Sequence, residues 1–141
     1  MSGFVTVPCV LAGKFPMMLT IFVEHVLLRW QERGSMSFAS PEECARYTAT
    51  FFKDERLSML AQHVKRGACI AMVNESVNLV FFFKYGTAYD EKEIKVMTIY
   101  PYIPGNKVLV EETDLCYILP KEGKLRFGRE RKYFELKKRR P

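Results

Sequence analysis

Several patterns that mark particular classes of protein are missing from this 141-residue sequence. Its four cysteines form no C-x-x-C motif, which disfavours a zinc or dithiol site, so we expect reduced and mostly buried thiols. Because no phosphate-binding Gly-rich loop, G-x-S-x-G elbow or paired metal carboxylates are present, we expect neither nucleotide hydrolysis, nor serine-hydrolase chemistry, nor a metal or other cofactor. No apolar run reaches the ~18 residues of a membrane span, and no basic leader opens the chain. The sequence therefore predicts a cytoplasmic protein that does not bind membranes.

The sequence does contain a core-forming composition and an uneven charge. Hydrophobic residues make up 48% of the chain and aromatic residues 13%, enough for one domain with a buried core. The net charge is +6, but residues 121–141 alone carry ten basic and three acidic residues, a net charge of +7. We predict an α+β core domain over residues 1–120 and a basic C-terminal segment over residues 121–141. This asymmetry favours a polyanionic partner such as nucleic acid, and a merely solubilising tail is the alternative.

The first half of the chain predicts one strand followed by helices. Residues 4–11 favour a strand or extended arm, and residues 17–33 show the apolar spacing of an amphipathic helix. Ser40-Pro41-Glu42-Glu43 has the residues of an N-cap, a first turn and a capping box, so a second helix is expected from there to about residue 52. A shorter third helix is expected over residues 54–66.

The second half predicts strands. Two β-rich runs, residues 68–73 and 77–84, lie on either side of Asn74-Glu75-Ser76 and indicate a β-hairpin. Residues 94–100 predict a further strand, and residues 107–110 and 115–119 predict shorter ones. On one face of that further strand we expect Ile94, Val96, Thr98 and Tyr100. The predicted fold is α+β, with N-terminal helices packed on one face of an antiparallel β-meander.

One candidate catalytic group is His25-x-x-x-Arg29-x-x-x-Arg33, whose members share a helix face opposite Trp30. We expect Trp30 itself to lie in the core. A neutral histidine accepts a proton near neutral pH and an arginine holds a phosphate, a pair that suits cleavage of RNA through its 2′-hydroxyl. A solvated polar face balanced by Glu24 and Glu32 is the alternative, and the spacing alone favours it.

Other cations indicate contacts with nucleic acid. His63 precedes Lys65 and Arg66, although cations at a helix C-terminus are also favoured by the helix dipole alone. Lys84 precedes a tyrosine, and Tyr102 follows Thr98 and Tyr100, so bases are expected to stack there unless these tyrosines belong to the sheet core. The C-terminal segment interleaves cations with aromatic residues, as phosphate-binding segments do, and a membrane-surface or protein-binding segment is the alternative. The expected nucleic-acid contacts are Arg33, Lys65, Arg66, Lys84, Arg126, Arg129, Arg131, Lys132, Lys137, Lys138, Arg139 and Arg140.

The segment His25-Val26-Leu27-Leu28-Arg29-Trp30-Gln31-Glu32-Arg33-Gly34 resembles the first helix of small RelE-like ribonuclease toxins and phage endoribonucleases. That group also contains barnase-like and colicin D-like ribonucleases, and residues 77–83 and 94–101 resemble its sheet strands. The resemblance covers under a third of the chain, which departs from the group by two extra helices and a long C-terminal segment. It implies metal-independent RNA cleavage with His25 as the base, Arg29 as a phosphate ligand, and Thr98 or Tyr100 as a contact from the sheet.

Two functions therefore remain open at the level of sequence. One is a metal-independent endoribonuclease of toxin or phage type, and the other is a non-enzymatic nucleic-acid-binding or inhibitor protein that acts through its basic surface. Both predict RNA rather than DNA as the nucleic acid, with a protein partner or antitoxin as a further candidate. A weaker third hypothesis is a protein-binding module whose tail meets an acidic partner. A cleft that unites His25, Arg29, Thr98 and Tyr100 would favour the enzyme.

Overall fold

The computed structural model of the protein describes residues 3–33, 37–63, 67–86, 92–102 and 115–127. They form one seven-stranded mixed sheet with short helices packed on one of its two faces. The strands are β1 (Phe4–Leu11), β2 (Phe15–Phe22), β3 (Ala68–Asn74), β4 (Leu79–Tyr85), β5 (Glu93–Pro101), β6 (Leu115–Leu119) and β7 (Arg126–Phe127). The helices are a π-helical turn (Val23–Leu27) that continues into α1 (Leu28–Arg33), α2 (Pro41–Thr50), and a 3₁₀ turn (Glu55–Leu57) that continues into α3 (Ser58–His63).

The strand order across the sheet is β1-β2-β5-β4-β3-β6-β7. The predicted arrangement of N-terminal helices on an antiparallel meander is wrong, because a β-hairpin precedes the helices and two strand pairs are parallel. β2 pairs in parallel with β5, and β3 pairs in parallel with β6. Parallel partners are joined by long crossovers, so neither turn residues nor alternation along one strand reveals them. The predicted hairpin of β3 and β4 and the predicted strand at residues 115–119 are confirmed.

Residues 15–22 form a strand, whereas the apolar spacing predicted a helix from residue 17. This almost continuous apolar run fits a period of 2 as well as a period of 3.6. The hairpin with β1 decides between them, since Ala12 and Gly13 adopt positive φ values of 58° and 72° and reverse the chain. The side chains of β2 that alternate into the core are those of Met17, Leu19 and Ile21.

The helix-covered face of the sheet is closed by an aromatic cluster around Trp30. Its side chain is only 3% exposed and lies against Tyr47, Phe51 and Phe81, with ring centroids 5.1, 5.5 and 6.2 Å away. The indole Nε1–H donates to the hydroxyl of Thr48 at 2.8 Å, so its one polar group is satisfied in the core. The prediction that Trp30 is a core residue is confirmed.

Helix α2 begins where the sequence predicts. The hydroxyl of Ser40 accepts a hydrogen bond from the backbone N–H of Glu43 at 3.2 Å, and Pro41 occupies the first turn. The carboxylate of Glu43 accepts a hydrogen bond from the N–H of Ala39. In a capping box the donor would be the N–H of Ser40, one residue later. The cap thereby holds the helix that covers β1.

Thiols lie on both faces of the sheet, and the expectation of mostly buried cysteines is confirmed. Cys9, Cys44 and Cys116 are buried and Cys69 is half-buried. Burial raises the pKa of both Cys9 and Cys44 to about 11. These two thiols therefore behave as small apolar side chains of the core.

The face of the sheet opposite the helices is called the outer face here. A β-bulge in β5 changes which side chains of that strand point toward it. The pairing of β5 with β4 shifts between Phe82 and Phe83. As a result Ile94 and Val96 point toward the helices, whereas Thr98 and Tyr100 lie on the outer face opposite Phe82 and Val80. The prediction that all four residues of β5 share one face is therefore wrong. Over β3, β4 and β6 the outer face carries a second buried apolar cluster, made of Ala71, Val73, Val80, Cys116 and Ile118.

Among the described strands β1 is at one edge of the sheet, and Pro8 lies near its middle. Met18 donates its N–H to Lys92 in the direction of β5, so the backbone of Pro8, which lies opposite Met18, points away from β2. Proline has no N–H to offer there. The outward row of donors is thus interrupted, which discourages another strand from pairing with this edge.

Hydrogen bonds from Arg56 connect the 3₁₀ turn of the helix layer to the residues that follow β6. Its Nε and one terminal nitrogen donate to the two carboxylate oxygens of Asp54 at 2.9 and 2.8 Å. The other terminal nitrogen donates to the carbonyl oxygens of Pro120 and Gly123, both at 2.8 Å. This charged network holds the 3₁₀ turn beside the chain that follows the sheet.

Candidate functional site

The outer face over β1, β2 and β5 has a pair of phenylalanines, of which Phe4 is exposed and Phe22 is half-buried. Phe4 on β1 lies directly opposite Phe22 on β2, and their ring centroids are 5.0 Å apart at an angle of 46°. Phe4 is 60% exposed, which is unusual for so large an apolar side chain. The pair forms a platform, called the Phe4–Phe22 platform below, that presents aromatic surface to solvent.

A cation stands beside this platform. The ammonium group of Lys95 lies 5.9 Å from the centroid of each phenylalanine ring, near the outer limit of a cation–π contact. Among the described residues no carboxylate forms an ion pair with Lys95, although Glu93 lies two positions away on the same strand. Its charge therefore remains available to an anion.

A second cation lies directly across the ladder from the first. Lys84 on β4 is exposed and pairs in register with Lys95 on β5. Like charges opposite each other on one face repel and are destabilising. An anion placed between them would relieve that repulsion, so this part of the outer face favours negatively charged ligands.

Next to the platform, a chain of hydrogen bonds ends on a carboxylate. The hydroxyl of Thr20, which is 3% exposed, donates to Oε2 of Glu93 at 2.8 Å. Thr20 has no second proton, so its 2.8 Å contact with the hydroxyl of Thr6 makes Thr6 the donor to Thr20. The two threonines thus hold the carboxylate of Glu93 in a fixed position on the outer face.

His25 lies at the margin of the platform. It is exposed and meets the ring of Phe22 edge-on, with 6.4 Å between the ring centroids and an angle of 87°. It belongs to the π-helical turn that follows β2, where the chain leaves the sheet. A π-helical turn is closed by i→i+5 bonds, so residues four apart do not line up as they do in an α-helix.

Arg29 has different surroundings from His25. It is half-buried on α1, and one terminal nitrogen of its guanidinium group pairs with Glu32 at 3.1 Å. Its Nε is buried and finds no hydrogen-bond acceptor among the described residues. The expected common face of His25 and Arg29 is thus altered by the π-helical turn, and the arginine is already held by a carboxylate.

Thr98 and Tyr100 lie on the outer face, farther along β5 than Lys95. Tyr100 packs edge-on against Phe82, with 5.4 Å between the ring centroids, and Thr98 lies opposite Phe82 in register. Thr98 is three residues from Lys95, about 10 Å along the strand. The structure therefore groups these two residues with the apolar cluster of β3, β4 and β6, and it groups His25 with the Phe4–Phe22 platform.

The predicted nucleic-acid contacts divide in a similar way. Lys84 lies on the outer face, and Arg126 on β7 has a guanidinium nitrogen 3.8 Å from the carboxylate of Glu75. Arg33 ends α1, but its side chain is not among the described groups. Outside the described residues lie Lys65, Arg66, Arg129, Arg131, Lys132, Lys137, Lys138, Arg139 and Arg140.

Sequence reasoning missed most of this site. A signal was present, because Phe4 and Phe22 are the outermost members of two alternating runs that flank Ala12-Gly13. Read as a hairpin around that turn, the two phenylalanines face each other. The parallel pairing that adds Glu93 and Lys95 to the same surface has no comparable local signal. The residues missed are Phe4, Thr6, Thr20, Phe22, Glu93 and Lys95.

Within the described ranges, no three His, Cys, Asp or Glu side chains are grouped as a metal site. In the same part of the chain, no helix has the length and apolar character needed to cross a membrane. Comparisons of the chain with protein-family models, with curated proteins and with solved structures return no match. Function must therefore be argued from the chemistry of the site itself.

Proposed function

We propose that the protein binds single-stranded RNA on the outer face of β1, β2, β5 and β4. The observation that carries the proposal is the Phe4–Phe22 platform with Lys95 beside it. Sheets that bind single strands use exposed aromatic rings to stack bases and neighbouring cations to hold phosphates. The phenylalanine pair supplies the stacking surface, and Lys95, which no carboxylate of the described residues pairs with, supplies the cation.

The remaining groups of the surface fit the same ligand. Lys84 and Lys95 would each neutralise a phosphate, and the net charge of +7 on residues 121–141 would strengthen the attraction along the strand. The hydroxyl oxygen of Thr6 is an acceptor for a ribose 2′-hydroxyl, which favours RNA over DNA. A cytoplasmic location, without membrane attachment, belongs to this proposal.

Binding of a labelled 12-nucleotide RNA, measured by fluorescence anisotropy, tests the platform. Loss of one stacked base costs about 1–3 kcal/mol, so Phe4→Ala and Phe22→Ala should each weaken binding about 5- to 150-fold. The matched control is Leu28→Ala on α1, a large apolar side chain that is 48% exposed away from the platform. Equal affinities for wild type, both phenylalanine variants and the control would refute the proposal.

Salt dependence tests the cations. Lys95→Ala and Lys84→Ala should each lower affinity and reduce the slope of log K against log salt by about 1, because one phosphate contact is lost. Lys14→Ala, an exposed lysine in the hairpin turn at the far end of β1, is the control and should keep the wild-type slope. If the slope of all three variants equals that of wild type, the phosphates bind elsewhere.

Cleavage of the bound RNA is a second candidate function, supported by the position of His25 at the edge of the platform. In this second proposal the imidazole is the base that takes a proton from a 2′-hydroxyl of a bound strand, Arg29 is a phosphate ligand, and Thr98 or Tyr100 is a sheet-side contact. The test is incubation with labelled RNA in EDTA, followed by analysis for 2′,3′-cyclic phosphate ends. His25→Ala should abolish most cleavage and His63→Ala should not.

If RNA is bound and left uncut, the endoribonuclease is excluded. The non-enzymatic RNA-binding or inhibitor-type protein then stands, with a protein partner or antitoxin as a further ligand of the basic surface. If RNA is neither bound nor cut, both forms of the proposal fail.

A further inference from the structure

The carboxylate of Glu93 is an acceptor on the outer face that a hydrogen bond holds in position. One of its oxygens is fixed by the buried hydroxyl of Thr20, which is itself held by Thr6. An ionised carboxylate has about four acceptor sites, and this bond uses one. Among the described residues no cation pairs with Glu93, so the other acceptor sites remain open to a ligand.

The carboxylate lies beside the surface on which a base would stack. Thr20 precedes Phe22 by two positions and Thr6 follows Phe4 by two, so the hydroxyl pair lies on the same face as the platform, about 7 Å along the strands. Glu93 reaches Thr20 from the neighbouring strand β5. The carboxylate therefore lies on the same face as the platform, near the hydroxyl pair, where an edge of a base stacked on the rings would approach it.

We propose that Glu93 selects guanine at this position, an inference that rests on the RNA binding proposed above. Guanine has two adjacent donors on its Watson–Crick edge, N1–H and the N2 amino group, and a carboxylate accepts from both. Adenine and cytosine each place an unprotonated ring nitrogen beside the amino group, and uracil places two carbonyl oxygens beside N3–H. Those acceptors are repelled by the carboxylate, so guanine alone matches it with two hydrogen bonds.

A bidentate contact of this kind discriminates between bases about 5- to 150-fold. The probe is a set of four uridine-rich 12-nucleotide RNAs that differ only in one central nucleotide, with affinity measured at fixed salt. Wild type should bind the RNA with central guanosine at least tenfold more tightly than the RNAs with central adenosine, cytidine or uridine. A fifth RNA with inosine, which keeps N1–H and lacks the N2 amino group, should fall between guanosine and the others.

Glu93→Gln keeps the shape of the side chain and replaces one acceptor oxygen with a donor, so it should remove the preference for guanosine. Since an amide offers one donor and one acceptor, it matches an adjacent donor and acceptor on all four bases, so the variant should bind the four RNAs with similar affinities. Glu122→Gln, an exposed carboxylate in the turn that follows β6, is the control and should keep the wild-type order.

The outcomes separate this inference from the proposal on which it depends. If wild type binds all four RNAs with equal affinity, or if Glu93→Gln keeps the preference for guanosine, RNA binding stands and base selection by Glu93 is refuted. If none of the RNAs binds to wild type, the proposed RNA binding and the selection of guanine are both refuted.

Discussion

The two faces of the sheet differ in what their side chains do. The face under the helices is almost wholly apolar and closes around Trp30 and Phe81. Over β1, β2, β5 and the neighbouring end of β4 the outer face instead presents an aromatic pair, two lysines and a hydrogen-bonded carboxylate. The apolar core under the helices therefore supports β1, β2 and β5 from one side, which leaves their other side free to carry polar and charged groups. Substitutions on the two faces should separate into effects on folding and effects on binding.

The outer face is itself divided. Over β3, β4 and β6 it carries buried apolar residues such as Ala71 and Ile118. Its other half begins at Lys84 and Lys95, extends to β1, and mixes polar and charged side chains with exposed apolar ones such as Phe4 and Met18. The candidate site thus occupies the part of the outer face where no apolar cluster has formed.

The largest effect on stability is expected from Trp30→Ala. It removes a 3% exposed side chain from an aromatic cluster and leaves the hydroxyl of Thr48 without its donor, so the free energy of unfolding should fall by about 3–5 kcal/mol. Urea denaturation measures this, with Leu28→Ala on the same helix as a control that should change it by less than about 0.5 kcal/mol. Equal losses for the two variants would mean that the helix-covered face is not the stabilising one.

The second-largest effect on stability is expected from Arg56→Ala, which removes the hydrogen bonds between the helix layer and the residues after β6. Arg56→Ala removes the charged hydrogen bonds to Asp54, Pro120 and Gly123, which should cost about 1–3 kcal/mol at pH 7. The hydrogen bond from Arg56 lowers the pKa of Asp54, so its stabilising contribution is present above about pH 4 and is lost as the pH falls further. Denaturation at pH 7 and pH 3 should therefore show a smaller gap between wild type and variant in acid. An unchanged gap, or a similar loss from the exposed Arg46→Ala, would contradict this.

The cap of α2 gives a smaller effect. Ser40→Ala leaves the N–H of Glu43 without its acceptor, so stability should fall by about 1 kcal/mol. Thermal unfolding followed by circular dichroism measures the change, with the exposed Ser37→Ala as the matched control. A stability equal to that of wild type would show that the helix over β1 does not depend on this cap.

The smallest effect on folding is expected on the outer face. Phe4 is 60% exposed and packs mainly against Phe22, so Phe4→Ala should lower the free energy of unfolding by about 0.5–1 kcal/mol. The same variant should weaken RNA binding strongly, as described above. A loss as large as that of Trp30→Ala would mean that the platform is part of the core and not a surface for ligands.

Local signals in the sequence predict local structure here. Strand β1, the cap at Ser40, the core position of Trp30 and the hairpin of β3 and β4 depend on neighbouring residues, and all four predictions are confirmed. The predictions were wrong where the structure of a segment depends on the strand that pairs with it. An apolar run became β2 because β1 pairs with it, and the bulge near Phe82 turned Thr98 and Tyr100 to the outer face. The candidate site was missed for the same reason, since its groups come from four strands.

The parallel pairing of β2 with β5, called the seam below, should form late in folding. It joins residues 18–21 to residues 93–96, more than seventy residues later in the chain, whereas the β1–β2 and β3–β4 hairpins join near neighbours. Closing so long a loop is slow, so the hairpins should form early and the seam late. The bond from Thr20 to Glu93 and the contact of Lys95 with Phe22 both cross this seam. A ligand that touches both sides would therefore slow its opening, and backbone amides along β2 and β5 would report that ligand through slower hydrogen exchange.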